Sequence, residues 1–308
     1  MSAANFSDYG QRIKEQIVAV RRFNRVVTQR VGALEEAYLS RERSLGLSRL
    51  LWEIGPDGVE IRLLRARLGL DSGYVSRKLR ALEAQGLVTT DPGDHDGRVR
   101  TARLTAAGLA ERELLDRASD ELAESMLAPL TTAQQERLLA AMADVEKLLV
   151  ASLVRIEITD PRTSDARYCL RSYFEELGRR FDAGFDPSQS ISAGDDEMTL
   201  PSGLLLVATL QGSPVGCGAL KLHADTGIAE IKRMWVSQTV RGLGLGRRLL
   251  DRLVQEASTR GLHTLRLETN KALVEARHLY ETAGFTEVDA FNDESYAHHW
   301  FQRDLRQD

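Results

Sequence analysis

The chain has 308 residues, enough for two ordinary domains at ~100–200 residues each. Its 43% apolar and 28% charged residues exclude collagen-like and disordered chains as well as small disulfide scaffolds. The net charge of −4 argues against DNA binding by bulk charge, so any nucleic-acid surface must be local.

The longest apolar run, Leu204 to Leu210, is far below the ~20 residues that span a bilayer. The opening MSAANFSDYGQRIKE lacks the apolar segment of a signal peptide. A cytoplasmic protein with no membrane partner is therefore expected. Cys169 and Cys217 stand apart with no paired Cys or His spacing around them, so neither a disulfide framework nor a metal site is expected.

Helical periodicity runs through the first half, where Ile13, Ile17, Val20, Val27, Val31 and Leu34 recur at spacings of three, four and seven. This apolar stripe needs a partner. Further along, Ile61–Leu68 reads as a short helix, Gly69-Leu70 as a turn, Asp71–Gln85 as a second helix and Gly86 as its stop. Leu87–Thr90 and Arg98–Leu104, joined by the turn-rich DPGDHDG, read as a two-stranded hairpin. A long helix follows Thr105, and another carries Leu138, Met142, Val145 and Leu149.

Between Ile61 and Arg103 nine basic side chains stand against five acidic ones. In the second helix Val75, Leu79 and Leu82 are expected to face the core, turning Ser72, Tyr74, Arg77 and Lys78 outward. A rigid helix with such donors suits a major groove, because base edges are read by hydrogen bonds while Arg and Lys neutralise phosphates. The segment Asp96–Thr105 fits the D-x-R-x5-L-T signature of the MarR family of winged helix-turn-helix regulators, and Leu82–Val88 also fits. The first half thus resembles that family. The resemblance implies an all-α winged helix-turn-helix domain over residues 1–153 and a homodimer built on the first helix and the last two. It also implies contacts to double-stranded DNA from Ser72, Tyr74, Arg77, Lys78 and Arg98. Gly73 departs from the Ser or Thr expected there.

After about Leu153 short strand-like runs alternate with helical stretches: Arg155–Thr159, Leu204–Leu210, Val215–Leu222, Ile228–Val236 and Thr264–Glu268. A second, α/β domain is expected over residues 154–308. The strand ending at Val236 leads through Ser237–Val240 into Arg241-Gly242-Leu243-Gly244-Leu245-Gly246-Arg247, a glycine-rich turn opening a helix. Such a turn presents backbone N–H groups and the positive end of the helix dipole to a phosphate. It lacks the Gly-Lys-Ser/Thr of a P-loop and the spacing of a dinucleotide fingerprint.

Arg241, Gly244 and Gly246 do match the R/Q-x-x-G-x-G/A motif of the GNAT acetyltransferases, and the block Asn270–Phe285 matches a second stretch of that family. Residues 155–308 resemble it. The resemblance implies a mixed, mostly antiparallel sheet and acetyl-CoA as acetyl donor, with no metal. The donor's diphosphate is expected on the amides of Leu243 to Arg247, and its arm beside Met234, Trp235 and Val236. Met234, Trp235, Val236, Arg241, Gly242, Leu243, Gly244, Leu245, Gly246, Arg247 and Asn270 are the expected cofactor-binding residues. An oxyanion donor is expected at the N–H of Trp235 or Val236, and Tyr280 aligns with the tyrosine that protonates the coenzyme sulfur.

Glu230 is the candidate base, acting directly or through water, on the premise that it shares a strand face with Lys232, Met234 and Val236. The alternative is that it only pairs with Lys232 or another cation at a sheet surface. His298 and His299 are either strand residues or an alternative base. The region Asp165–Gly203 is expected to supply the acceptor pocket. Its carboxylates, Glu175, Glu176, Asp182, Asp186, Asp195, Asp196 and Glu197, suit a cationic amine: a polyamine, an amino acid or a lysine side chain. The leading reading is a regulator fused to an N-acetyltransferase acting on a small-molecule amine or lysine side chain. The alternatives are a regulator whose second domain only senses acetyl-CoA or a small ligand, and an enzyme whose winged helices serve only for dimerisation.

Overall fold

The structure is a computed structural model that describes residues 3–33, 39, 43–92, 100–182, 184–191, 193–223 and 225–307. The chain divides into two compact units, Met1–Ala141 and Met142–Asp308, and the divide falls inside the helix Thr132–Ser152.

In the first unit the elements are α1 (Ala3–Arg30), α2 (Leu45–Ile54), β1 (Val59–Glu60), α3 (Ile61–Leu68), α4 (Ser72–Ala84), β2 (Val88–Pro92), β3 (Arg100–Leu104) and α5 (Ala106–Leu127), followed by α6 (Thr132–Ser152). Gly69 ends α3 in the left-handed region at φ 63°, where a residue with a Cβ is disfavoured, and its N–H returns to the carbonyls of Ala66 and Arg65. Asp71 then caps α4 by accepting from the Tyr74 N–H at 2.8 Å. Val75, Leu79 and Leu82 are buried with Leu50, Leu51, Leu64 and Val88, so the face of α4 expected in the core is the face found there. The hairpin β2–β3 gains a third strand, the two-residue β1, which pairs with β3 through Val59 and Glu60. That strand is too short to leave a periodic signature. Leu34 and residues 93–99, Arg98 among them, lie outside the described residues.

The apolar stripes of the long helices are not absorbed by this core. Ile17, Val20 and Phe23 on α1, and Leu139, Met142 and Leu149 on α6, each expose about half of their surface. No described helix is long and apolar enough to cross a membrane.

The second unit is built on a seven-stranded sheet of order β4-β5-β6-β7-β8-β10-β9. Its strands are β4 (Arg155–Ile158), β5 (Gly203–Leu210), β6 (Ser213–His223), β7 (Ile228–Val236), β8 (Thr264–Thr269), β9 (Thr286–Val288) and β10 (His299–Asp304), and its helices are α7 (Ser164–Arg180), α8 (Leu245–Thr259) and α9 (Val274–Thr282). The sheet is mixed: β7 and β8 run parallel, while β4–β5, β5–β6, β6–β7, β8–β10 and β9–β10 are antiparallel.

Alternation along β5 sends Leu204 and Leu206 to one face, against Leu245, Leu249 and Leu253 of α8. Leu205 and Val207 go to the other, against Ala166, Cys169 and Leu170 of α7. Two cores on opposite faces of one sheet fix α7 and α8 across β7, and each fully buried Leu contributes roughly 1.5–3 kcal/mol to holding them there.

Candidate active site

Among the described residues β7 and β8 pair only from Ile228↔Thr264 to Glu230↔Arg266, and beyond Glu230 no described strand pairs with β7 on that side. The opening exposes backbone groups of β7 along its C-terminal half. On its other side the register with β6 shifts: Cys217 faces Trp235 but Ala219 faces Lys232, so Arg233 and Met234 together oppose Gly218. This is a β-bulge, and Arg233 sits in it at φ 59°. A non-glycine residue there costs on the order of 1–3 kcal/mol, strain of a kind that collects at functional sites.

The bulge reverses the side-chain phase of the strand. Ile231 packs into the α8-side core with Met234 and Val236, while Trp235 packs into the α7-side core. Glu230 therefore does not share a face with Met234 and Val236, contrary to the alternation expected from the sequence. Its carboxylate binds His223 Nε2 and Lys232 Nζ, each at 3.1 Å. Burial opposes its charge, but Lys232 and His223 outweigh burial and hold the carboxyl below its ordinary value.

A cavity of about 440 Å³ runs along the open edge of β7 and over the start of α8. It is lined by Met234, Trp235, Val236, Arg241, Gly242, Gly244, Leu245, Gly246 and Arg247, with Tyr280 and Leu279 of α9 opposite. Of the residues expected to hold a cofactor, two lie elsewhere. Leu243 packs against the core, because the turn points its apolar side chain inward. Asn270 lines a second cavity, where its Nδ2 donates to the Tyr296 carbonyl and its Oδ1 accepts from the Ala272 N–H, both at 2.8 Å. It fixes the loop before α9.

No side chain caps α8, and Gly244 at its N-cap takes φ 73°, so the amides of the first turn point into the cavity end unscreened, as an anion site requires. Lys147 of α6 brings its Nζ to 3.2 Å from where a Cβ on Gly242 would stand. The Arg241 side chain turns instead to Glu176 Oε1 at 2.5 Å, while the other oxygen of Glu176 accepts from Trp235 Nε1 at 3.1 Å. Ser237 N–H returns to the Val215 carbonyl, and strand alternation then directs the Val236 N–H to the open side. The residues present fit an acyl-CoA: unscreened amides for the diphosphate, an open strand edge for the amide-rich arm, and an apolar wall along both.

The second cavity, about 100 Å³, meets the first at Tyr173, Leu177, Met234, Leu273, Ala276 and Tyr280. Phe181, Phe185, Ser190 and Ile191 reach it from the segment expected to form the acceptor pocket, yet the carboxylates expected from that segment do not line it. Glu176 faces the first cavity, Asp186 caps its own turn, and Asp195, Asp196 and Glu197 are paired with Arg167, Arg162 and Lys221. Glu268 of β8 and Glu294 are the carboxylates found in its wall.

Glu268 was hidden within a strand-like run, and only the divergence of β7 from β8 reveals it as a wall residue. One of its oxygens binds Lys232; the other, Oε2, is buried with no hydrogen-bond partner among the described residues. Burial opposes the charge of Lys232, but Glu268 and Glu230 outweigh it and raise the amine above its ordinary value. Tyr280 is buried, which pushes its phenol far above the usual range, and Tyr173 is pushed up to about 12 by burial. Both are protonated donors at neutral pH. His298 and His299 line neither cavity; His299 Nδ1 is paired with Glu287 at 2.6 Å. Among the described residues no cluster of His, Cys, Asp or Glu is arranged to hold a metal ion.

On α4, Ser72 and Arg77 are exposed, while Tyr74 is half-buried with Lys78 over its ring at 5.4 Å. Arg98 lies outside the described residues.

Comparison with known proteins agrees with the geometry of the second unit. The acetyltransferase (GNAT) family model matches residues 170–285. An IAA acetyltransferase of Azospirillum brasilense is 36% identical over 135 residues, covering 44% of this chain and 88% of the relative. An uncharacterized N-acetyltransferase of Schizosaccharomyces pombe is 30% identical, over 41% of this chain and 78% of its own length. Among solved structures, yncA of Salmonella typhimurium with its cofactor acetyl-CoA is 19% identical with a TM-score of 0.39, over 49% of this chain and 94% of its own. Fold, cavity and relatives define an acyl-CoA N-acyltransferase. The chain belongs to the GNAT acetyltransferase family and is an acetyl-CoA-dependent N-acetyltransferase.

Proposed function

We propose that the second unit acetylates a small primary amine with Glu268 as general base and Tyr280 as general acid, and that the first unit is a MarR-like winged helix-turn-helix that binds double-stranded DNA as a homodimer. For the transferase, one observation carries the assignment. The two cavities join at Tyr280 and Met234, and the acceptor side of that junction holds a buried carboxylate oxygen with no partner.

Acetyl-CoA, as substrate, supplies an acetyl thioester whose carbon–sulfur bond breaks as the carbon–nitrogen bond to the amine forms. The acceptor ammonium gives one proton to solvent to become the nucleophilic amine, and Glu268 takes the second proton that the nitrogen loses as the carbon–nitrogen bond forms. The Val236 N–H stabilises the negative charge that develops on the carbonyl oxygen. The Tyr280 hydroxyl gives its proton to the departing thiolate, and the proton held by Glu268 restores the phenol through water, so the enzyme returns to its starting state with one proton released to solvent per turnover. Lys232 orients the Glu268 carboxyl through its ion pair. The uncapped amides at Gly244–Arg247, with Lys147, hold the diphosphate.

For the first unit, support comes from the order helix, Gly69 turn, capped helix and hairpin, from the exposed Arg77 on α4, and from the exposed apolar stripes of α1 and α6, which a second copy would cover. Amine-dependent release of CoA thiol, followed with a panel of amines, tests the transferase; release independent of any amine contradicts it. A mobility shift on the DNA upstream of the protein's own coding region, at stated salt, tests the regulator. Arg77→Ala and Arg98→Ala are expected to weaken that shift, and unchanged binding in both removes the proposed contacts.

A further inference from the structure

We infer that the acceptor is a primary amine whose body is an uncharged aryl group, rather than a polyamine, an amino acid or a lysine side chain. This rests on the acetyl-transfer reading of the same site and narrows its substrate.

The wall of the acceptor cavity away from the junction is aromatic. Phe185 and Tyr296 stand 4.8 Å apart between ring centroids, Phe181 and Tyr296 5.8 Å, and Phe181 and Phe185 5.9 Å. These are the separations at which rings pack edge-to-face or offset, so the wall offers a further ring the same contacts. Tyr173 carries this apolar lining to the junction.

The polar inventory is nearly spent. Glu294 accepts from Ser190 Oγ at 2.9 Å, from the Ile191 N–H at 2.6 Å and from the Tyr296 N–H at 3.2 Å, so its charge serves the wall itself. Lys232 already meets Glu230 and Glu268. The Arg233 guanidinium is laid over the rings of Phe174 at 4.5 Å and Tyr173 at 5.6 Å. Among the charged groups of the lining this leaves Glu268, on a side chain 9% exposed, whose Oε2 is shielded from solvent and has no hydrogen-bond partner among the described residues; Thr269 and the Tyr173 and Tyr280 phenols are neutral.

One buried anionic oxygen matches one ammonium. A second ammonium, as in a polyamine, meets rings and occupied carboxylates, and an α-carboxylate meets cations that are already engaged. Burying either extra charge without a partner is costly, whereas an aryl group replaces water along the ring wall.

The test uses the full chain at saturating acetyl-CoA, with CoA thiol release measured for 2-phenylethylamine, hexylamine, spermidine, aspartate and a lysine-containing peptide. The expected kcat/KM for 2-phenylethylamine exceeds that for hexylamine by about tenfold and the charged acceptors by about a hundredfold or more. Phe185→Leu is expected to narrow the preference for 2-phenylethylamine over hexylamine several-fold, to about twofold. Highest turnover with spermidine, aspartate or the peptide overturns the aryl assignment while leaving acetyl transfer standing, as does an aryl preference unmoved by Phe185→Leu. No release with any amine overturns both.

Discussion

Lys232 is shared between two carboxylates but completes only one of them. Glu230 is satisfied by the lysine and His223 together, whereas Glu268 gives one oxygen to the lysine and keeps the other buried without a partner among the described residues. The two glutamates, on adjacent strands, thereby differ in one respect: Glu230 has both oxygens paired and Glu268 only one.

The pair is deeply placed, with the Lys232 and Glu268 side chains 7% and 9% exposed. Removing the cation leaves two carboxylates facing each other in a weakly solvated site. Lys232→Ala is expected to lower the unfolding free energy by about 3–5 kcal/mol, read from urea denaturation at neutral pH. A loss below about 1 kcal/mol, the size of an exposed ion pair, contradicts the buried-pair description.

Tyr280 reaches the junction of both cavities as a protonated phenol. Tyr280→Phe keeps the ring in its place against Phe285 and Phe301 and removes only the proton donor. The expected result is a fall in kcat of about a hundredfold with the affinity for acetyl-CoA changed by less than about threefold. An unchanged kcat removes the acid role.

Burial of the same tyrosines has a consequence for stability. A folded-state pKa raised above the unfolded value of about 10 contributes stability that is complete below pH 10 and is lost as pH rises through the folded value, which for Tyr173 is about 12. Urea midpoints measured across this window should fall steadily, and phenolate absorbance should appear in two stages, the later one together with unfolding. Ionisation of every tyrosine near pH 10 without unfolding contradicts the burial of Tyr173 and Tyr280.

Gly244 holds φ 73° with nothing within 4 Å of the place a Cβ would take, so its requirement for glycine is conformational and not steric. Gly244→Ala places an alanine in the left-handed region at about 1–2 kcal/mol, and the turn that aims the α8 amides relaxes. Acetyl-CoA affinity measured by calorimetry is expected to fall by about five- to thirtyfold. Unaltered affinity moves the diphosphate away from this helix start.

Residues with a conformational or periodic signal were readable before the structure. Gly69 set the end of α3, the 3-4 spacing of Val75, Leu79 and Leu82 set the core face of α4, and the strand Ile228–Val236 has the bounds expected of it. What failed has a local cause. The left-handed residue of the β7 bulge is an arginine, so no glycine marks the break in alternation, and Glu230 was read onto the face that holds Met234 and Val236. Glu268 looked like an ordinary strand residue because the parting of β7 from β8 is a tertiary event with no sequence periodicity. The acidic composition of Glu175 to Glu197 suits a cationic acceptor, yet arginines and a lysine distant in sequence pair with Asp195, Asp196 and Glu197.

The division of labour between the two glutamates is tested most directly by amine-dependent thiol release in Glu268→Gln and Glu230→Gln, assayed beside the unaltered chain with acetyl-CoA binding verified in each. Glu268→Gln is expected to lose about a hundredfold or more in kcat, and Glu230→Gln to retain more than about a tenth of it. The reverse order, with Glu230→Gln inactive and Glu268→Gln active, contradicts the assignment of the base.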